Sequence, residues 1–152
     1  MKRATMLKLA AWALLLVGTS YPVSYTAAPA WEVLVVDEAG APIEGMTVRL
    51  SYQNYSTESK GHELDAISDS RGRVQFAMRR ARASFGRYLA YSVWSATMGV
   101  HASFGRHAYV FVFGQGREGD ATTGEALTEW TGTPDEMKSR IIARLGARQR
   151  ER

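Results

Sequence analysis

Residues Trp31–Leu50, WEVLVVDEAGAPIEGMTVRL, contain two strand patterns joined by a turn pattern. Residues 31–36 are apolar apart from Glu32, and this predicts a strand that is apolar on both faces and central in its sheet. Gly and Pro in residues 37–43 predict the turn. From Met46 to Gln53 apolar and polar residues alternate without a break, and this period of two predicts a half-buried strand.

Further strands are predicted on the C-terminal side of this stretch. Apolar and polar residues alternate clearly in 73–79 and less clearly in 63–68. His107–Phe113 is apolar on both faces. A short edge strand is predicted at 125–130. The expected core comprises Val33, Val35, Val48, Leu50, Val74, Phe76, Tyr109, Phe111 and Phe113.

Two helices are also predicted. Between Ala83 and Ala102 apolar residues recur every three or four positions, which favours an amphipathic helix packed on the sheet; two strands broken at Gly99 are the alternative. Thr133 as N-cap and Pro134 at the first helical position predict a helix over 134–145. The fold class is therefore mainly β: a transthyretin-like or Ig-like β-sandwich over 31–146, with a helical insertion at about 83–102, a C-terminal helix and a basic tail at 147–152.

The segments 33–50 and 68–76 carry a family resemblance. The pattern of a strand, D-x-x-G-x-P-I-x-G, a second strand and then S-D-x-x-G-x-V-x-F resembles the carboxypeptidase regulatory-like family of small transthyretin-like β-sandwiches. The resemblance covers roughly residues 31–79 and implies a sandwich fold and an accessory role. It implies no catalytic residues in this chain.

The N-terminus is typical of an export signal. Lys2, Arg3 and Lys8 precede or border the apolar run Leu9–Gly18, which is shorter than the roughly 20 residues that span a bilayer. The small residues of 28–30 predict cleavage after Ala30, so that residues 1–30 are a signal peptide. Cleavage at Gly18-Thr19-Ser20 and an uncleaved anchor are the alternatives. The expected location is extracytoplasmic: periplasmic, secreted or membrane-anchored.

Composition excludes several classes of function. The 152-residue chain has no Cys, which excludes disulfides, a thiol nucleophile and Cys-ligated zinc. The net charge is +4, but residues 1–30 hold three basic and no acidic residues, so the remainder has 16 basic against 15 acidic side chains. A nearly neutral domain predicts no nucleic-acid partner.

Few residues are candidates for chemistry. His62, Glu63, Asp65, His101 and His107 are weak metal-ligand candidates whose spacing matches no established metal motif. No serine lies in a G-x-S-x-G elbow. The prediction is therefore no catalytic residue, no cofactor and no enzymatic activity.

Two hypotheses of function follow. The first is an exported, noncatalytic module with a binding or structural role in the cell envelope, with an envelope protein or glycan as partner. In this hypothesis the chain would contact a membrane only through an uncleaved N-terminus or weakly through the basic C-terminal helix. The alternative is a small metal-dependent hydrolase or metal-binding protein that uses His62, His101 and His107.

Overall fold

The structure, a computed structural model, describes residues 3–99, 103–119 and 129–145. Two helices and eleven strands lie in these ranges. In chain order they are α1 (Arg3–Ser20), β1 (Pro22–Ala28), β2 (Ala30–Val36), β3 (Thr47–Asn54), β4 (His62–Ile67), β5 (Arg73–Phe76), β6 (Arg79–Ser84), α2 (Phe85–Thr97), β7 (Arg106–Gly114), β8 (Arg117–Gly119), β9 (Glu129–Trp130), β10 (Glu136–Ile142) and β11 (Arg144–Leu145).

The strands form a β-sandwich with an added ribbon. One sheet has the order β10-β2-β5, with β2 central as its apolar sequence predicts. The other has the order β11-β8-β7-β3-β4, with β9 pairing to β7. Strands β1 and β6 form a separate antiparallel ribbon. The prediction of a mainly β sandwich is confirmed.

The core lies between the two sheets. Strands β2, β5 and β10 contribute alternate residues from one side, and β3, β7 and β9 contribute from the other. The buried members are Trp31, Val33, Val35, Val74, Phe76, Met137 and Ile141, facing Val48, Leu50, Ala108, Val110, Val112 and Trp130. The Trp31 indole donates a hydrogen bond to Ser139 Oγ at 2.9 Å, which satisfies its polar atom inside the core.

Two turns of the same D-x-x-G pattern connect strands of the sandwich. In the first, Asp37 Oδ1 accepts hydrogen bonds from the backbone N–H groups of Ala39 and Ala41, and in the second Asp69 Oδ1 accepts from Arg71 and Arg73. The glycine that ends each pattern has a positive φ, +86° at Gly40 and +70° at Gly72. The aspartate therefore stabilises the turn, and glycine supplies the left-handed conformation.

The prediction of a C-terminal helix over 134–145 is wrong. Glu136–Ile142 is β10, which pairs in parallel with β2 so that Ser139 lies beside Val33. Met137, Ser139 and Ile141 are buried and the residues between them are exposed, which is a period of two. The capping signals at Thr133 and Pro134 are local, and burial of Ile141 beside β2 outweighs them. The predicted weak membrane contact through this segment assumed a helix that the structure does not form.

The predicted core positions on β7 are also wrong. Ala108, Val110 and Val112 face the core, whereas Tyr109, Phe111 and Phe113 lie on the outer face of the larger sheet. There the three aromatic rings follow one another with centroid separations of 5.9 and 5.8 Å. A strand that is apolar on both faces leaves its orientation undetermined, since a one-residue shift exchanges the two faces.

The predicted helix within 83–102 is present as α2, which begins at Phe85 after the N-cap Ser84. The expectation that it packs on the sheet is wrong, since no residue of α2 is buried. The preceding residues 79–84 form β6 rather than part of the helix. Residues 100–102, 125–128 and the predicted tail 147–152 lie outside the described residues. In the described part of the chain, neither helix combines the length and apolarity needed to cross a membrane.

Candidate functional site

A cavity of about 520 Å³ lies where the β1–β6 ribbon and α2 meet the end of the sandwich. Its volume is in the range of pockets that hold small molecules. Most of the lining surface is apolar, with a few polar groups. The lining residues are Val23, Tyr25, Asn54, Thr57, Ala83, Ser84, Phe85, Tyr88, Gly105, Arg106 and Thr131.

Tyr25 supplies one polar group of the cavity. Its hydroxyl donates to Glu58 Oε1 at 2.9 Å and lies 3.0 Å from Thr57 Oγ1. Because the phenol has only one proton, Thr57 is the donor in the second hydrogen bond. Burial raises the pKa of Tyr25 above its usual value, and the neighbouring Glu58 carboxylate raises it further. Tyr25 is therefore a neutral phenol at neutral pH, held by side chains of the turn after β3.

The turn after β3 positions these partners. Asn54 O accepts from the N–H groups of Thr57 and Glu58, and Glu58 Oε2 accepts from Asn54 N at 3.0 Å. Ser56 Oγ accepts from Gly105 N at 2.9 Å, which joins this turn to the segment before β7. The side chains around Tyr25 are thus held by backbone contacts, which preorganises the polar wall of the cavity.

Arg106, another lining residue, carries a positive charge. Its guanidinium lies over the Trp130 ring, with Cζ 5.6 Å from the centroid, and its Nη1 donates to Thr26 O at 3.4 Å. No carboxylate forms an ion pair with Arg106 among residues 3–99, 103–119 and 129–145. A guanidinium has five N–H donors, so most of its hydrogen-bonding capacity stays available to an anionic or carbonyl group.

The cavity therefore combines a mainly apolar lining with a few polar groups. Val23, Ala83 and Phe85 are apolar lining residues, whereas Arg106 can donate several hydrogen bonds. This composition fits a small apolar molecule with an acidic or carbonyl oxygen. No sequence motif marks either polar residue, because Tyr25 lies in the predicted signal peptide and Arg106 directly precedes the predicted strand His107–Phe113.

The structure does not assemble the predicted metal candidates. His62 and His107 flank β3 opposite Tyr52 and Gln53, which are adjacent and therefore point to opposite faces of the sheet. The His62 ring stacks on Tyr52 at 5.1 Å, and the His107 ring lies edge-on to Tyr55 at 6.5 Å. No group of three or more potential ligands capable of holding a metal ion occurs in the described ranges. His101 lies outside them.

The two carboxylates of the predicted cluster pair with an arginine instead. Arg49 Nε and Nη2 donate to the two oxygens of Asp65 at 2.7 Å, and Arg49 Nη1 lies 2.9 Å from Glu63 Oε2. The guanidinium lowers the pKa of Asp65 by hydrogen bonding and charge. Glu63 and Asp65 thus lie on the outer face of the sheet, whereas the preceding His62 lies on the opposite face.

The predicted cleavage residue lies inside the fold. Ala30 is the first residue of β2, and its N–H donates to Asp135 O at 2.9 Å. Ala28 and Pro29 before it are buried. The alternative site at Gly18-Thr19-Ser20 is at the end of α1, directly before the ribbon.

Comparison with known proteins gives matches to solved structures alone. No family model and no curated protein sequence matches this chain. A 3-chlorocatechol 1,2-dioxygenase from Rhodococcus opacus matches over 80% of this chain and 65% of its own, with 14% identity and a TM-score of 0.46. A catechol 1,2-dioxygenase from Pseudomonas arvilla matches over 81% of this chain and 54% of its own, with 14% identity and a TM-score of 0.40.

These matches correct one prediction and leave another untested. The similar structures are those of enzymes, which contradicts the prediction of a noncatalytic binding or structural module of the envelope, and that prediction is withdrawn. This chain spans 54 to 65% of the three dioxygenases' lengths, and the similarity concerns shape and assigns no activity. The resemblance to the carboxypeptidase regulatory-like family stays a prediction.

Proposed function

We propose that this protein binds a small, mainly apolar molecule with an acidic or carbonyl group in the cavity between the ribbon, α2 and the sandwich. The observation that carries the proposal is the presence among the lining residues of Arg106, a cation that has no carboxylate partner among the described residues. A cation that no protein group neutralises favours an anionic ligand group, and the apolar walls favour the rest of the molecule.

A fluorescent aromatic sulfonate, anilinonaphthalene sulfonate, tests this proposal. We expect it to bind the full chain, and we expect Arg106→Gln to weaken binding about tenfold, since a hydrogen bond to a charged group contributes roughly 1.5–3 kcal/mol. Ala83→Leu enlarges an apolar lining residue and is expected to abolish binding. Arg82→Gln removes a positive charge from an exposed position of the β1–β6 ribbon and is the matched control for Arg106→Gln.

Three outcomes separate the cavity from other binding surfaces. Loss of binding in Arg106→Gln and Ala83→Leu, with Arg82→Gln unchanged, supports the cavity. Equal losses in the two arginine variants would instead indicate nonspecific attraction of the sulfonate to positive charge and contradict the proposal. Binding that survives Ala83→Leu but is lost in Trp94→Ser would place the dye on α2, since Trp94 is 64% exposed.

We also propose that the protein is exported and that processing occurs at the end of α1, after Ser20, rather than after Ala30. The basic residues and apolar run of α1 support export. Cleavage after Ser20 retains β1 and the Tyr25 wall of the cavity, whereas cleavage after Ala30 removes both. Amino-terminal sequencing of the protein isolated from its native cells tests this: an N-terminus at Tyr21 agrees with it, and one at Trp31 contradicts it.

A further inference from the structure

Charge is unevenly distributed along this chain. All 15 acidic residues lie in 32–69 and 118–152, together with 8 basic residues. Residues 1–31 and 70–117 contain no acidic residue and hold the other 11 of the 19 lysines and arginines. All charged side chains in these two long segments are therefore basic, although the net charge of the whole chain is only +4.

The fold brings these two basic segments together. Strand β1 of the first segment pairs along its length with β6 of the second. The α1 helix, which precedes β1, contacts α2, which follows β6. The contact is close at Gly86, where a Cβ atom would lie 3.1 Å from Thr19 O. Processing after Ser20 would remove α1, so the surface that remains in the processed protein comprises α2 and β6, here termed the helical surface.

The helical surface exposes large apolar side chains. No residue of α2 is buried. Its exposed apolar side chains are Phe85, Tyr88, Leu89, Val93 and Trp94, with Met98 at its C-cap. Six large apolar side chains exposed on one helix and its cap form a larger patch than isolated surface residues do, and such patches mark interaction sites.

Arginines border this apolar surface. Arg79, Arg80 and Arg82 are exposed on β6, and Arg87 on α2 lies with its Cζ 5.6 Å from the Tyr91 ring centroid. None of the four forms an ion pair with a carboxylate in the part of the chain that the structure describes. Their charges are therefore available to anions outside the protein.

We propose that the helical surface binds the surface of a bilayer that contains anionic phospholipids. Trp and Leu side chains next to unpaired arginines are the composition of helices that lie in a membrane interface, with apolar groups at the acyl boundary and cations at the phosphates. The complete absence of carboxylates from both segments removes the repulsion that a negatively charged bilayer would otherwise exert. This surface is adjacent to the cavity, but the proposal is independent of ligand binding there.

Co-sedimentation of the full chain with vesicles tests this proposal. We expect binding to vesicles of phosphatidylcholine with phosphatidylserine, weaker binding to phosphatidylcholine alone, and loss of the difference at high salt. The triple variant Arg79→Gln, Arg80→Gln and Arg82→Gln should lower the partition coefficient on the order of a hundredfold, since each cation near an anionic bilayer contributes about fivefold. Leu89→Ser with Trp94→Ser should also lower it, and both side chains are exposed, so folding is retained.

The matched control removes the same charge elsewhere. Lys60→Gln, Arg140→Gln and Arg144→Gln replace three exposed cations outside the basic segments and should leave binding nearly unchanged. Equal losses in the two triple variants would overturn the proposal, as would equal binding to both kinds of vesicle. Full binding by the Leu89 and Trp94 variant would contradict a role for α2 in the contact. A dimer in sedimentation that dissociates in that variant would identify a second copy as the occupant and also overturn it.

Discussion

Tyr25 joins the ribbon to the sandwich through its hydroxyl group. The residue lies on β1, whereas its partners Thr57 and Glu58 lie in the turn after β3. Glu58 also accepts from the Asn54 backbone, so one carboxylate connects the ribbon, the turn and a strand of the larger sheet. A single phenol thus stabilises the fold and forms one wall of the cavity.

Tyr25→Phe is expected to lower the free energy of unfolding by about 1.5–3 kcal/mol at neutral pH, because it removes a hydrogen bond to the Glu58 carboxylate as well as the one from Thr57. The pKa of Tyr25 is raised in the folded protein, so folding favours the protonated phenol. This contribution is complete below the unfolded pKa of about 10 and disappears as the pH rises through the higher folded value. Chemical denaturation at neutral and at alkaline pH measures both effects. Tyr21→Phe, at an exposed residue just before the same strand, is the control and should change neither.

Gly72 lies where a side chain is excluded. Its φ is +70°, and a Cβ atom there would overlap the carbonyl oxygen of Val35. Gly72→Ala should therefore destabilise the protein by about 1–3 kcal/mol, from backbone strain and from the displaced strand. Gly61→Ala is the matched substitution, since a Cβ at Gly61 would have its nearest neighbour at 3.5 Å. Urea denaturation compares the two, and equal stabilities would contradict the strain at Gly72.

At the scale of elements, β10 shows how pairing overrides local signals. The segment has a plausible helix start at Thr133 and Pro134, yet it adopts the conformation that places Met137, Ser139 and Ile141 in the core. The strand lies in parallel beside β2 and more than a hundred residues away from it in sequence. Its conformation is therefore determined by a contact that no local window contains.

Ile141→Ala tests the strand assignment. Ile141 is completely buried between the sheets, so its truncation should cost about 2–5 kcal/mol. Arg140→Ala removes the adjacent exposed side chain and should change stability by less than about 0.5 kcal/mol. Thermal denaturation of the two variants gives the comparison. A large effect at Arg140 and a small one at Ile141 would show that the alternation assigned to β10 is wrong.

At the scale of the whole molecule, the ribbon closes one end of the sandwich. Ala27 and Ala28 of β1 and the following Pro29 are buried, and β1 supplies Val23 and Tyr25 to the cavity. The ribbon therefore links the core, the cavity and the helical surface. Removing it would expose part of the core as well as open the cavity.

A chain that begins at Tyr21 is expected to keep the stability and dye binding of the full chain, because α1 contributes no buried large side chain to the core. A chain that begins at Trp31 lacks β1 and should have a lower melting temperature and no dye binding. Thermal melts and titrations with the aromatic sulfonate compare the two truncated proteins. Equal behaviour of both would contradict a structural role for β1.

The sequence alone determines much of the sandwich. The alternation in 46–53 places Val48 and Leu50 in the core, and the D-x-x-G turns at Gly40 and Gly72 follow from local hydrogen bonding and backbone conformation. These features depend on residues close in the chain, so their physical cause is visible in the sequence.

Tertiary structure alone decides the remaining features. It selects the inward face of β7, because both faces are apolar and contact with β3 and β2 determines which is buried. It makes 136–142 a strand through pairing with β2, and it brings Tyr25 and Arg106 to one cavity from positions 81 residues apart. These outcomes depend on burial and hydrogen bonding between distant segments, which the periodicity of any one segment does not specify.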